Sequence, residues 1–115
     1  MNKKIVQIIV IVMIVLLALP LLAMPGLSAE LPNGAQLFEQ NCAGCHVNGS
    51  NIIRRGKNLK QKAMTRNGYT SIETIVELVT NGKGNMSAYG DRLSSEEIQA
   101  VSAYVFEQAQ KDWKS

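Results

Sequence analysis

Residues 42–46 read Cys-Ala-Gly-Cys-His, and no other stretch restricts the fold of this chain so strongly. Two cysteines three apart, with a histidine directly after the second, form the attachment signature for a c-type haem. The chemistry demands these residue types. Cys42 and Cys45 each add a thiol to one vinyl group, a helical turn sets both sulfurs on one side, and the His46 imidazole then reaches the iron as an axial ligand. Rival readings of the cysteines are weaker. A disulfide closing so short a loop constrains the unfolded chain little. A thiol–disulfide exchange module normally sits in a strand–helix–strand pattern, which the sequence lacks.

A chain of 115 residues holds one domain at most, and its first part does not read as domain. Lys3-Lys4 is a positive start, Ile8–Leu19 an apolar run broken at Pro20, and Gly26-Leu27-Ser28-Ala29 a zone of small residues. This order is that of a secretory signal peptide. The unbroken run is twelve residues, short for a bilayer core of roughly 30 Å. With Gln7 and Pro20 tolerated, Ile5–Ala23 would span and stay as an anchor. The expectation is therefore a signal peptide over residues 1–29, cleaved after Ala29 or kept as a tether, and a haem domain over 30–115. That domain has ten basic and nine acidic side chains, a net charge of only about +1. It has no basic stripe interleaved with aromatics, which argues against nucleic acid as a partner. At 86 residues it is small enough to need reinforcement, and a covalently held apolar cofactor would supply it.

Helical patterns fill the rest. Asn33 is a candidate N-cap for a helix running through Leu37 and Phe38 into the cysteine motif. Phe38 reads as core, and Gly34 as either a chain start or a close approach of another helix. Val47–Asn51 is a polar loop, and Ile52-Ile53 read as re-entering the interior. Arg54-Arg55-Gly56-Lys57 is a basic turn, one of whose cations is a candidate for the haem propionates. Leu59–Arg66 reads as a short helix. Thr70-Ser71-Ile72-Glu73 reads as a capping box with Thr70 as the cap. Ile72, Ile75, Val76 and Val79 then share one helix face, ended by Asn81-Gly82. Ser94–Glu97 is a second box, opening a helix with Ile98, Val101, Tyr104 and Val105 on one face. No strand-like alternation of useful length occurs, so the class is all-α with about four helices.

A histidine-ligated haem poses the question of its sixth ligand. The chain has one histidine, which excludes a second imidazole from within it. Met64 falls on a helix, where methionine usually fills core. Met86 falls in the glycine-rich loop Lys83–Gly90, which can arch over one face of a flat cofactor, and is the expected ligand. A soft thioether favours ferrous iron. A six-coordinate iron leaves no open site for substrate, so the reading is an electron carrier, not an enzyme. The competing reading is a haem enzyme or gas sensor with a displaceable methionine.

From about Leu31 to Trp113 the chain resembles the cytochrome c6 family of class I c-type cytochromes. The matching features are Asn33-Gly34-Ala35, Cys42–His46, Val79-Thr80-Asn81-Gly82-Lys83, the Met86 loop, Gly90-Asp91-Arg92-Leu93 and the aromatic last helix. His46 and Met86 stand forty residues apart, as the family's axial ligands do. The resemblance implies a class I cytochrome c fold holding one haem c, with Gly34, Phe38 and Tyr104 where the first and last helices cross. It also implies Arg92 on the partner-facing side, and residence in the thylakoid lumen or periplasm. The implied partners are a cytochrome b6f-like donor and photosystem I or a terminal oxidase as acceptor. Four positions depart from the family. Ser87 replaces a proline, Tyr89 a phenylalanine, Asp91 a glycine, and Leu78 the glutamine typical of photosynthetic members. Loss of that amide points to a lower-potential variant of the c6B or c6C kind.

Overall fold

The computed structural model describes residues 2–22, with side chains to Ala18, and residues 31–115. The small-residue zone and the expected cleavage point after Ala29 lie outside the described residues. The chain divides near residue 30 into two units. The first contains helix α1 (Lys3–Leu22), whose apolar side chains from Ile5 to Leu17 are exposed all round. A helix apolar on every face has no stripe to bury against a partner and is suited to an apolar surrounding. Among the described residues no helix is long and apolar enough to cross a membrane.

The second unit has four helices and, among the described residues, no strand beyond a single bridge between Lys83 and Met86. Helix α2 (Gly34–Asn41) starts where the Asn33 side chain accepts the Gln36 N–H at 3.2 Å. Helix α5 (Ser95–Gln110) starts with the expected box, the Ser94 hydroxyl accepting from Glu97 N–H at 3.1 Å and Glu97 accepting the Ser94 N–H at 3.0 Å. Leu37 and Phe38 of α2 pack on Val101 and Val105 of α5 in one core. The contact is close because Gly34 has no side chain. A Cβ there would run into the Ala100 carbonyl oxygen and lie 2.9 Å from Tyr104 Cβ. Gly34 is thus the close-approach glycine, and Phe38 and Tyr104 meet beside it at 5.6 Å between ring centres.

Three local expectations change. Helix α3 is Gln61–Arg66, two residues shorter at its start. Leu59 cannot join it, because its N–H donates to the Gly49 carbonyl at 2.7 Å and its carbonyl accepts Trp113 Nε1–H at 2.9 Å. Helix α4 (Ile72–Asn81) is capped by Ser71, not Thr70, and the box closes on Thr74, not Glu73. Thr70 and Ser71 carry equivalent hydroxyls, and the local pattern does not separate them. Burial of Ile75 and Val79 fixes the register. Ile52 does not enter the interior, being 63 % exposed, whereas Ile53 borders the cavity described below. The Asn51 side chain accepts the N–H groups of Ile53 and Arg54 at 3.0 and 2.7 Å, a tight turn that carries Ile52 outward.

Trp113 closes the side of the fold near the histidine. Its indole lies against Gly49, whose φ of +75° and lack of a Cβ leave room for the ring. Its centroid is 4.9 Å from Phe38 and 5.9 Å from Tyr104, the latter edge-on. Such pairs add about 0.5–1.5 kcal/mol each beyond the area they bury.

Candidate cofactor cavity

A cavity of about 430 Å³ opens between the turn after α2 and the loop after α4. Cys42, Cys45 and His46 line it from the first side, Met86 and Tyr89 from the loop, and Leu78 and Val79 from α4. Val101 and Val105 of α5 form its floor with Phe38. All four residues read from sequence as the site thus border one space. Met64 borders it too, as well as being core at 5 % exposure.

The turn that presents the cysteines mixes a tighter bond at Cys45 with an ordinary α-helical one at His46. Both Cys45 N–H and His46 N–H donate to the Cys42 carbonyl, at 3.1 and 2.9 Å. No disulfide joins the two cysteines; Cys42 is half-buried and Cys45 exposed. Burial, and secondarily the neighbouring Cys45, pushes the Cys42 thiol up to about 11. His46 Nδ1 lies 2.8 Å from the Ser50 carbonyl. A carbonyl only accepts, so Nδ1 carries the proton and Nε2 keeps its lone pair for a metal. No sequence signal names this acceptor, because any residue at position 50 has a carbonyl.

Met86 is held in a tight loop. Its N–H donates to the Lys83 carbonyl at 3.0 Å and its carbonyl accepts the Lys83 N–H at 3.1 Å. The loop folds directly onto Gly82, where a Cβ would sit 2.6 Å from the Met86 carbonyl oxygen. Arg54, Lys57 and Lys83 are the charged side chains bordering the cavity. Two of the three cations of the basic turn therefore face it. Arg92 is exposed, its guanidinium 4.6 Å from the centre of the Tyr89 ring.

This donor set fits a haem. The cavity lies in the size range of prosthetic-group sites and is largely apolar. An imidazole with a free Nε2 and a thioether border it, two thiols stand at its edge, and cations are available for two carboxylates.

Comparison with known proteins agrees. Residues 29–105 match the family model described as cytochrome c oxidase, cbb3-type, subunit III. A cytochrome c6-like protein of Nostoc sp. strain PCC 7120 is 58% identical over 93 residues, 81% of this chain and 84% of the relative. The chain belongs to the cytochrome c6 family. Among solved structures, cytochrome c6C from Synechococcus sp. PCC 7002 is 74% identical with a TM-score of 0.68. That match covers 70% of this chain and 98% of that one. Cytochrome c6B from Synechococcus sp. WH8102 is 52% identical, also at 0.68, covering 71% and 93%. Membership establishes the class I cytochrome c fold, one covalently attached haem c, and a role as an electron carrier rather than an enzyme.

Proposed function

We propose that Cys42 and Cys45 carry the thioether links, that His46 Nε2 and the Met86 sulfur are the axial ligands, and that the chain passes single electrons between membrane redox complexes. Bound haem supplies the one-electron ferric/ferrous couple. The observation that supports the assignment is the commitment of His46 Nδ1 to the Ser50 carbonyl on the wall of a cavity that Met86 also lines. Held by both His46 and Met86, a haem would have no position left for oxygen or peroxide and would supply electron transfer alone. Arg54 and Lys57 are the residues to hold the propionates.

Charge distribution supports a docking mode. Residues 54–66 carry six cations and no acid, while the acidic side chains of residues 31–115 lie on α2, α4 and α5 and in the loops beside α5. A face of one sign steers a carrier toward a partner of the other and raises the encounter rate more than the final affinity. The partners we assign are a cytochrome b6f-like donor and photosystem I or a terminal oxidase as acceptor, reached in the thylakoid lumen or periplasm. Helix α1 is the export signal or, left uncleaved, a tether. Leu78 on the cavity wall makes this a lower-potential variant.

The test is the visible spectrum and mass of the exported protein. We expect a haem adduct mapped to the peptide containing Cys42 and Cys45, and a far-red thioether-to-iron charge-transfer band in the oxidised form. Met86→Ala should abolish the band and open the iron to carbon monoxide. Ready carbon monoxide binding by the unaltered protein would favour the gas-sensor reading instead.

A further inference from the structure

The Met86 loop leaves α4 at Gly82 and rejoins the fold at Tyr89, whose carbonyl accepts the N–H groups of Arg92 and Leu93 and which makes three further attachments. Its N–H donates to the Val79 carbonyl at 2.9 Å, and its ring lies under the Arg92 guanidinium. Its hydroxyl donates to the Asn41 carbonyl at 2.9 Å, joining residues 48 apart in sequence. Asn41 ends α2 and directly precedes Cys42. A continuing α-helix would send the Cys45 N–H to the Asn41 carbonyl. Here the turn tightens and that N–H goes to Cys42. The Tyr89 phenol supplies the hydrogen that the tightening withdraws. One side chain thereby ties the loop carrying Met86 to the turn carrying the cysteines.

We propose that Tyr89 is a positioning residue whose hydroxyl latches the Met86 loop to the cysteine turn and so sets how readily the sulfur is displaced from the iron. The proposal rests on Met86 as axial ligand. The Lys83–Met86 hydrogen bonds are internal to the loop and travel with it. Ser87, beside the ligand, carries no ring to fix its φ. Opening the loop at Tyr89 breaks the latch and strips a half-buried carbonyl of its donor, so the hydroxyl biases the loop toward the closed form. One ordinary hydrogen bond shifts such an equilibrium by about fivefold.

The experiment titrates oxidised holoprotein with imidazole and follows loss of the far-red band in the unaltered chain, Tyr89→Phe, and Tyr89→Phe with Ser87→Pro. Tyr89→Phe should bind imidazole about fivefold more tightly, and Ser87→Pro on that background should recover part of the difference. Urea midpoints are read in parallel. A Tyr89→Phe protein with a lowered midpoint but unchanged imidazole affinity would overturn the latch, since only a structural role would remain. A second readout needs no variant. Nitration of Tyr89 by tetranitromethane, mapped by mass spectrometry, should rise when imidazole saturates the unaltered protein, and constant nitration would also overturn it. An unaltered protein lacking the far-red band would overturn Met86 ligation and the latch together. Where the band is present, a failure belongs to the latch alone.

Discussion

Replacing Gly34 by alanine tests whether the contact of α2 with α5 is as tight as drawn. In a helix, alanine ordinarily improves on glycine by up to about 1 kcal/mol. At position 34 the new Cβ would strike the Ala100 carbonyl oxygen, with Tyr104 Cβ at 2.9 Å and Ala100 C at 3.0 Å. Comfortable carbon–carbon contact is roughly 3.5–4.0 Å. The obstructing atoms belong largely to backbone, which has no rotamer to change, so one helix must move by on the order of half an ångström or more. Overpacking of this kind costs about 1–3 kcal/mol. A clash with rigid backbone falls in the upper half of that range, so after the full propensity gain the net loss is about 1–2 kcal/mol. With a urea slope near 1 kcal/mol/M for so small a domain, the unfolding midpoint should fall by about 1–2 M. Gly44→Ala is the control. Its Cβ would meet nothing within 4 Å, and its midpoint should stay close to that of the unaltered protein. Equal midpoints for the two variants would refute the reasoning.

Leu78→Gln should raise the midpoint potential by about 40–90 mV, the equivalent of a hydrogen bond of roughly 1–2 kcal/mol on a one-electron couple. Redox titration yielding an unchanged potential would remove Leu78 as the tuning position. Ser102 is fully buried and its hydroxyl has no partner among the described residues, so Ser102→Ala should stabilise by about 1 kcal/mol and lift Tm by roughly 4–8 °C. A lower Tm would mean that the hydroxyl is satisfied in solution. In the haem-free chain, iodoacetamide should label exposed Cys45 ahead of Cys42, whose thiol is pushed up to about 11. Labelling at Cys42 should accelerate about tenfold per pH unit below that value. Peptide mapping that finds Cys42 labelled first at pH 8 would contradict this order.

The structure brings the four candidate residues to one cavity, and three of them could be named from sequence because the proposed chemistry has a fixed local spacing. A haem needs two thiols and an imidazole at set intervals, and Cys42, Cys45 and His46 carry that requirement locally. Asn33 and the Ser94–Glu97 box were readable for the same reason, each acting within one turn. Illegible features depend on distant backbone. Leu59 is a good helix former, yet it is taken by Gly49 and Trp113, 54 residues away in the second case. The Ser50 carbonyl that orients His46 has no side-chain signature. Tyr89 stood out as a departure from the family, but only the fold brings its hydroxyl to Asn41. Ile52 misled because apolar character was taken for burial, whereas Asn51 dictates the direction of the chain there.

Trp113 lies downstream of every residue that lines the cavity, and it fills the space over Gly49 in the loop that carries the histidine's acceptor. Synthesis proceeds from the N-terminus, so the buttress behind that loop emerges last. A growing or translocating chain that has already displayed both thiols still lacks its indole wedge. Until it arrives, the ring of Phe38 and the backbone at Gly49 have no indole to rest against.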